Sequence, residues 1–143
     1  MKIKFVRDNA KMPTKGSEEA AGYDIYSANS ESILISPGET VKIPAGFATE
    51  IPSGYFGAIF PRSGIATKQG LRLSNCVAVI DSDYRGEWLV PIYNDSPDSQ
   101  IVAPGTRIAQ FVIMPYRAVD LEKVSSLDET KRGANGFGST GVN

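Results

Sequence analysis

The sequence predicts an all-β fold of the sandwich or jelly-roll kind. Apolar, β-branched and aromatic runs recur about every 8–12 residues. Pro-Gly and Pro-Ser-Gly turns separate several of them, and helical periodicity is scarce. The chain has 143 residues, 41% hydrophobic and 22% charged. That is ordinary for one soluble domain with its own core.

Taken in order, residues 2–6 read as a first strand and not as the charged head of a signal segment. Residues 21–26 are strand-like and carry Asp24. Residues 33–35 lead into the turn Ser36-Pro37-Gly38, and a strand over 40–43 follows. Pro44-Ala45-Gly46 breaks the chain again. Residues 47–51 end at Pro52-Ser53-Gly54, and residues 55–60 stop at Pro61. The one helix candidate is 63–69, with Ser63 as N-cap and Gly70 as C-terminal stop. An apolar run through Val77, Val79 and Ile80 breaks into Asp81-Ser82-Asp83-Tyr84, turns at Gly86, and continues as a second run over 87–94. Pro104-Gly105 introduces the last strand, 106–114, where Arg107 and Gln110 are interleaved with apolar neighbours. Residues 131–143 differ from the rest: four glycines and little apolar content, a composition that should be mobile on its own.

Composition narrows the chemistry. A net charge of -1 gives no strong field toward nucleic acid or an anionic membrane. No apolar run approaches the roughly 20 residues a spanning helix needs. The single cysteine, Cys76, cannot form an intrachain disulfide, which fits a reducing compartment. The expected location is the cytoplasm, or a host's cytoplasm for a phage or viral chain. There is no histidine. The usual general base, the usual zinc ligand and a Ser-His-Asp triad are therefore excluded. Proton abstraction near neutral pH falls to a carboxylate, or less readily to a tuned lysine or tyrosine.

Several stretches are polar where a β protein could have been plain. Asp24 sits inside a strand-like segment. Arg62 and Ser63 start the helix candidate, an arrangement suited to phosphate. Gln110 lies mid-strand among apolar neighbours. Asp81 and Tyr84 share a tight corner. The tail places Arg132, Phe137, Ser139 and Thr140 among glycines that let backbone N–H groups approach an anion. Each also has an ordinary reading: strand-end carboxylate, helix cap with a surface arginine, satisfied amide, polar hairpin, frayed terminus. Together they outline nucleotide hydrolysis. Arginines and a glycine-rich flap would hold a polyphosphate, Asp81 would activate water, and Tyr84 and Phe137 would stack on sugar and base. No metal cage is evident, so Mg²⁺ would be held mainly by phosphate oxygens and water.

Five stretches, in order, resemble the motifs of the trimeric dUTPase family. They are residues 21–27 (AGYDIYS), 61–66 (PRSGIA), 75–86 (NCVAVIDSDYRG), 104–110 (PGTRIAQ) and 132–141 (RGANGFGSTG). Any one is weak evidence; five in register over nearly the whole chain are specific. The resemblance implies a distorted jelly-roll or sandwich-like β barrel with one short helix. It also implies a homotrimer with shared sites, and hydrolysis of dUTP to dUMP and pyrophosphate with Mg²⁺. The β domain would span 1–130 and a C-terminal arm 131–143 would close over a neighbouring subunit's site.

Carried over by motif, Asp81 is the general base and Tyr84 lies under the deoxyribose. Asn75 reads the uracil edge. Arg62, Ser63, Gly64 and Gln110 hold phosphates, and Arg132 reaches the γ-phosphate. Gly138, Ser139 and Thr140 lie along the phosphate chain, and Phe137 stacks over uracil. Asp24 acts around the hydrated metal or a neighbouring arginine. Ala78 stands where many members have glycine, and its methyl is expected to narrow the base pocket slightly. A dCTP deaminase and a binding protein without turnover are the rival readings. The corner sequence DSDYRG argues against the first and the complete motif set against the second.

Overall fold

The Pro and Gly signals cut the chain into short strands joined by tight turns, and the computed structural model describes residues 1–136. Its strands are β1 (Lys2–Phe5), β2 (Thr14–Lys15), β3 (Tyr23–Tyr26), β4 (Ile33–Ile35), β5 (Thr40–Pro44), β6 (Phe47–Glu50) and β7 (Tyr55–Phe60), then β8 (Leu71–Leu73), β9 (Ala78–Ile80), β10 (Leu89–Asn94), β11 (Gln100–Val102) and β12 (Arg107–Pro115). One helix, α1 (Ser63–Gln69), lies between β7 and β8. The all-β jelly-roll class expected from the sequence is the class observed. Among the described residues, no helix is long and apolar enough to cross a membrane.

A five-stranded sheet in the order β2-β3-β12-β7-β9 forms one side. A three-stranded sheet, β5-β10-β8, and two ribbons, β1-β6 and β4-β11, complete the fold. Neighbours in every pair run antiparallel. Burial alternates along β10, where Val90, Ile92 and Asn94 point inward. That is the period of two expected of a strand with one buried face.

The core gathers where these sheets face one another. Ile25, Ile59 and Phe111 come from the five-stranded sheet, and Ile43, Leu73, Val90 and Ile92 from the three-stranded one. Trp88 is fully buried at their centre. Its ring lies 5.1 Å from Phe47 and 5.0 Å edge-on from Phe111. Its Nε1 donates to Thr49 Oγ1 at 3.1 Å, so the indole's one polar atom is satisfied inside the core.

Several local expectations are corrected. Arg62, not Ser63, occupies the N-cap: it is extended, with φ -94 and ψ 134, and no side-chain hydrogen bond caps the helix. Arg62 is held outside the helix by the ion pair described below, so Ser63 becomes the first helical residue. Gly70 ends the helix in the left-handed conformation, with φ 65, as expected. The second run of the corner becomes a strand only at Leu89; at Trp88 the main chain instead donates to the carbonyl of Phe47 and accepts the N–H of Ala45, either side of the turn between β5 and β6. Strands β2, β8 and β11, of two or three residues each, were not anticipated. Ala78, at the start of β9, packs against the core with 8% exposure.

Replacing Trp88 by Phe removes part of the ring and leaves Thr49 Oγ1 without its donor. We expect a loss of about 2–3 kcal/mol in urea unfolding, with the far-ultraviolet spectrum retained.

Candidate functional site

Asp24 is the centre of a charged cluster at one end of the five-stranded sheet. On β3 its neighbour Ile25 faces the core, so Asp24 leaves the opposite face of the sheet, yet its side chain is only 10% exposed there. A lone carboxylate there would be costly. Arg62 Nε donates to Oδ1 at 2.6 Å and Arg107 Nη1 donates to Oδ2 at 3.1 Å. Both carboxylate oxygens are therefore committed to arginines. Two guanidinium groups against one carboxylate leave a net positive charge beside Ser63 and Gly64, which are exposed at the start of α1.

Arg107 reaches this face through a register shift. In β12, Gln110 pairs with Asp24, but Ala109 pairs with Ile25 and Arg107 with Tyr26. Strict alternation would put Arg107 and Gln110 on opposite faces. The bulge between Arg107 and Ala109 brings Arg107 to the side of Asp24. Gln110 is half-buried and its Nε2 donates to the carbonyl of Pro61 at 3.0 Å, bracing the turn that carries Arg62. Arg107 was not among the expected site residues. Its place in the motif was visible; the bulge was not.

The second cluster is the corner between β9 and β10. Asp81 is exposed and its carbonyl accepts the Tyr84 N–H at 3.2 Å, which closes the turn. Arg85 Nη1 donates to the carbonyls of Ser82 at 2.7 Å and Tyr84 at 3.1 Å, and reaches that of Thr49 at 3.5 Å. The Tyr84 hydroxyl donates to the carbonyl of Glu87 at 3.0 Å. Asp81 and Tyr84 line a cavity of about 180 Å³ with Val79, Ile80, Glu87 and Leu89. Asp81 also borders a second hollow, of about 270 Å³, with Phe56, Val79 and Tyr116.

Asn75 stands exposed on the turn leading into β9. The Val77 N–H donates to its carbonyl at 2.7 Å, across Cys76 at φ 62. That is a γ-turn, an uncommon and strained conformation for a residue with a side chain. Arg132 is exposed, with Nε donating to the carbonyl of Asn135 at 3.0 Å. Phe137, Gly138, Ser139 and Thr140 lie outside the described residues.

The chain brings Asp24, Arg62, Ser63, Gly64 and Gln110 together at one end, and Asp81 and Tyr84 at another. Strand β7 measures the gap. Ile80 pairs with Gly57, so Asp81 continues beside Phe56, while Phe60 pairs with Gln110 at the far end. From Phe56 to Phe60 is about 14 Å of strand, with Arg62 further on.

A cluster of arginines on one carboxylate and a free carboxylate over a small cavity are what a site for a phosphate ester is built from. The dUTPase family model matches residues 8–141. The deoxyuridine 5'-triphosphate nucleotidohydrolase of Desulfitobacterium hafniense is 47% identical over 145 aligned positions, covering 99% of this chain and 96% of that one. Among solved structures, the Staphylococcus bacteriophage 80alpha dUTPase with dUPNHPP superposes with a TM-score of 0.85 at 30% identity, covering 99% and 98% of the two chains. A mutant dUTPase from phage phi11 of S. aureus, solved for the coordination of a structural Mg(II) ion, gives 0.80 at 25% identity, covering 90% and 98%. The chain belongs to the dUTPase family.

The corner also has an electrostatic anchor. The Glu87 carboxyl titrates below the usual glutamate range, chiefly because the Arg7 side chain hydrogen-bonds to it; the charge of Arg7 and the N–H of Gly46 add to this against partial burial. A lowered folded-state value contributes stability that is complete above the unfolded value and is lost as pH falls through the folded one. Arg7 is 44% exposed, so solvent screening limits the pair to about 0.5–1 kcal/mol. Glu87→Gln should lower stability by that amount at neutral pH. Urea midpoints at stepped pH should converge with wild type only in acid, below about pH 4.

Proposed function

We propose that the chain hydrolyses dUTP to dUMP and pyrophosphate, as a homotrimer whose sites are shared between subunits. This activity would keep uracil out of DNA and supply dUMP for dTMP synthesis. Family membership supports the substrate, and the phage 80alpha relative was solved with a dUTP analogue. The observation that carries the shared site is the separation along β7. A base acts within about 3 Å of the proton it takes. A phosphate chain gripped at Arg62 starts beyond the far end of β7 from the Asp81 of the same copy. A corner from one copy meeting an arginine cluster from another removes that distance.

In this reading Asp81 accepts a proton from water, the water oxygen attacks the α-phosphorus, and the bond to the bridging oxygen breaks to release pyrophosphate. Arg62, Ser63, Gly64 and Gln110 hold phosphate oxygens. Asp24 keeps Arg62 and Arg107 aimed and is itself shielded from solvent. Tyr84 supports the deoxyribose, and Asn75 with its neighbouring backbone reads the uracil edge. The arm, 131–143, carries Arg132 to the γ-phosphate, Phe137 to the base, and Gly138, Ser139 and Thr140 to the phosphate chain. Closing the arm would exclude bulk water, which strengthens every charge interaction inside.

Mg²⁺ fits this site as an ion carried by the triphosphate. Among the described residues no three Cys, Asp or Glu side chains gather to hold a metal, and both oxygens of Asp24 are taken by arginines. Any role of Asp24 toward the ion is through water. When bound, Mg²⁺ offsets the negative charge of the phosphate oxygens.

The deciding assay measures pyrophosphate release from dUTP, dCTP and UTP with Mg²⁺. Release from dUTP alone is expected, and ammonia release from dCTP would overturn the assignment. Asp81→Asn should lower kcat about 10²–10⁴-fold while leaving nucleotide affinity near wild type, measured by titration calorimetry. Near-normal turnover would remove Asp81 from the role of base. Deleting 131–143 should leave the oligomer folded and cut hydrolysis by about 10²-fold or more. Unfolding of the truncated chain would instead make the arm a structural element.

A further inference from the structure

The fixings of the corner extend past the residues that face substrate. The Tyr84 hydroxyl is bonded to the carbonyl of Glu87, and its ring lies against Gly86, where any Cβ would collide with the phenol. The ring is therefore placed by residue 87. Glu87 is gripped in turn from two other segments. Arg7 Nε donates to its Oε1 at 2.5 Å and Nη2 to its Oε2 at 2.9 Å. The N–H of Gly46 donates to Oε1 at 3.1 Å.

Such a two-pronged contact fixes the plane of the carboxylate as well as its position. Gly46 can offer its N–H because its backbone turns at φ 79 with the methyls of Ala10 and Ala28 against it; a Cβ there would stand 2.7 Å from each. Arg7 follows β1 and Gly46 joins β5 to β6, so distant parts of the chain converge on the residue that holds the phenol. Glu87 also shares the wall of the cavity with Asp81 and Tyr84. For folding alone, a half-exposed arginine pair is worth little. Its placement next to the sugar-facing ring suggests a different use.

We infer that Arg7 and Glu87 are positioning residues for Tyr84, and that they set how strictly the site rejects a ribose 2′-hydroxyl. The inference rests on the proposed role of Tyr84 against deoxyribose. A ring held on one hydrogen bond to a clamped residue cannot retreat to admit an extra oxygen. When the clamp is cut, residue 87 and the phenol move together.

The test compares wild type, Arg7→Ala, Arg7→Lys, Glu87→Gln and Tyr84→Ala by kcat/KM on dUTP and on UTP, with thermal unfolding run alongside. Arg7→Ala and Glu87→Gln should lower the dUTP/UTP ratio about tenfold or more, with the loss on dUTP falling on KM more than on kcat. Arg7→Lys keeps the charge but not the two-pronged contact, so it should restore thermal stability while recovering only part of the ratio. If Arg7→Ala does not fold, Arg7→Lys and Glu87→Gln carry the test. A lowered melting temperature with an unchanged ratio, while Tyr84→Ala does lower it, would make the pair structural only and overturn the inference. An unchanged ratio in Tyr84→Ala would overturn the sugar role of Tyr84, and the inference with it. Failure of wild type to release pyrophosphate from dUTP would overturn the broader reading instead.

Discussion

Trp88 enters the core directly after the corner, and its indole N–H finds Thr49 in β6. The corner half of the site rests on that contact. Thr49 is buried, and its backbone carbonyl is also in reach of Arg85, whose guanidinium gathers the carbonyls of the turn. A single strand residue therefore takes the indole through its side chain and the corner's arginine through its main chain. An exposed loop bearing Asp81 would otherwise sample many shapes, at an entropic cost whenever it had to adopt one. Burial of the largest side chain in the molecule one residue beyond Glu87 removes most of that freedom in advance.

The same rigidity separates the two halves of the site. Strand β7 pairs with β12 on one side and β9 on the other, and both ladders fix its register between the arginines and the corner. A fold that fixes each half so firmly cannot bend them together within one copy. In the proposed assembly, docking between copies supplies the approach, and the catalytic geometry is set at a subunit interface. Asp24 shows how the cost is met locally: a buried carboxylate is tolerated because two arginines neutralise it, and the positive charge left over faces outward, where an anion would arrive.

The strands were readable because Pro and Gly punctuate them and because β-branched residues alternate between turns. The very short β2, β8 and β11 carry too few residues for a periodic signal, and pairing partners alone define them. Motif resemblance named Asp24, Arg62, Gln110, Asp81 and Tyr84, and offered a neighbouring arginine for Asp24, which Arg62 and Arg107 supply; it did not give the Gln110–Pro61 or Tyr84–Glu87 contacts. Arg107 was hidden by a bulge, since simple alternation assigns it to the wrong face. Cys76 at positive φ ran against its residue type. The Arg7–Glu87 pair joins positions 80 residues apart and has no local signature at all. The bulge and the ion pair belong to tertiary closure, which a pattern along one strand does not encode; the Cys76 turn is local and goes against residue preference.

The spacing of the two clusters along β7 has a genetic meaning. If each site draws its corner from one copy and its arginines from the next, a lesion at Asp81 and a lesion at Arg62 damage different contributions. Two defective alleles expressed in one cell would form mixed trimers in which the sound corner of one product meets the sound arginines of the other. One whole site per mixed trimer is restored. The gene would then show intragenic complementation between two classes of allele, divided according to the end of β7 at which each mutation falls.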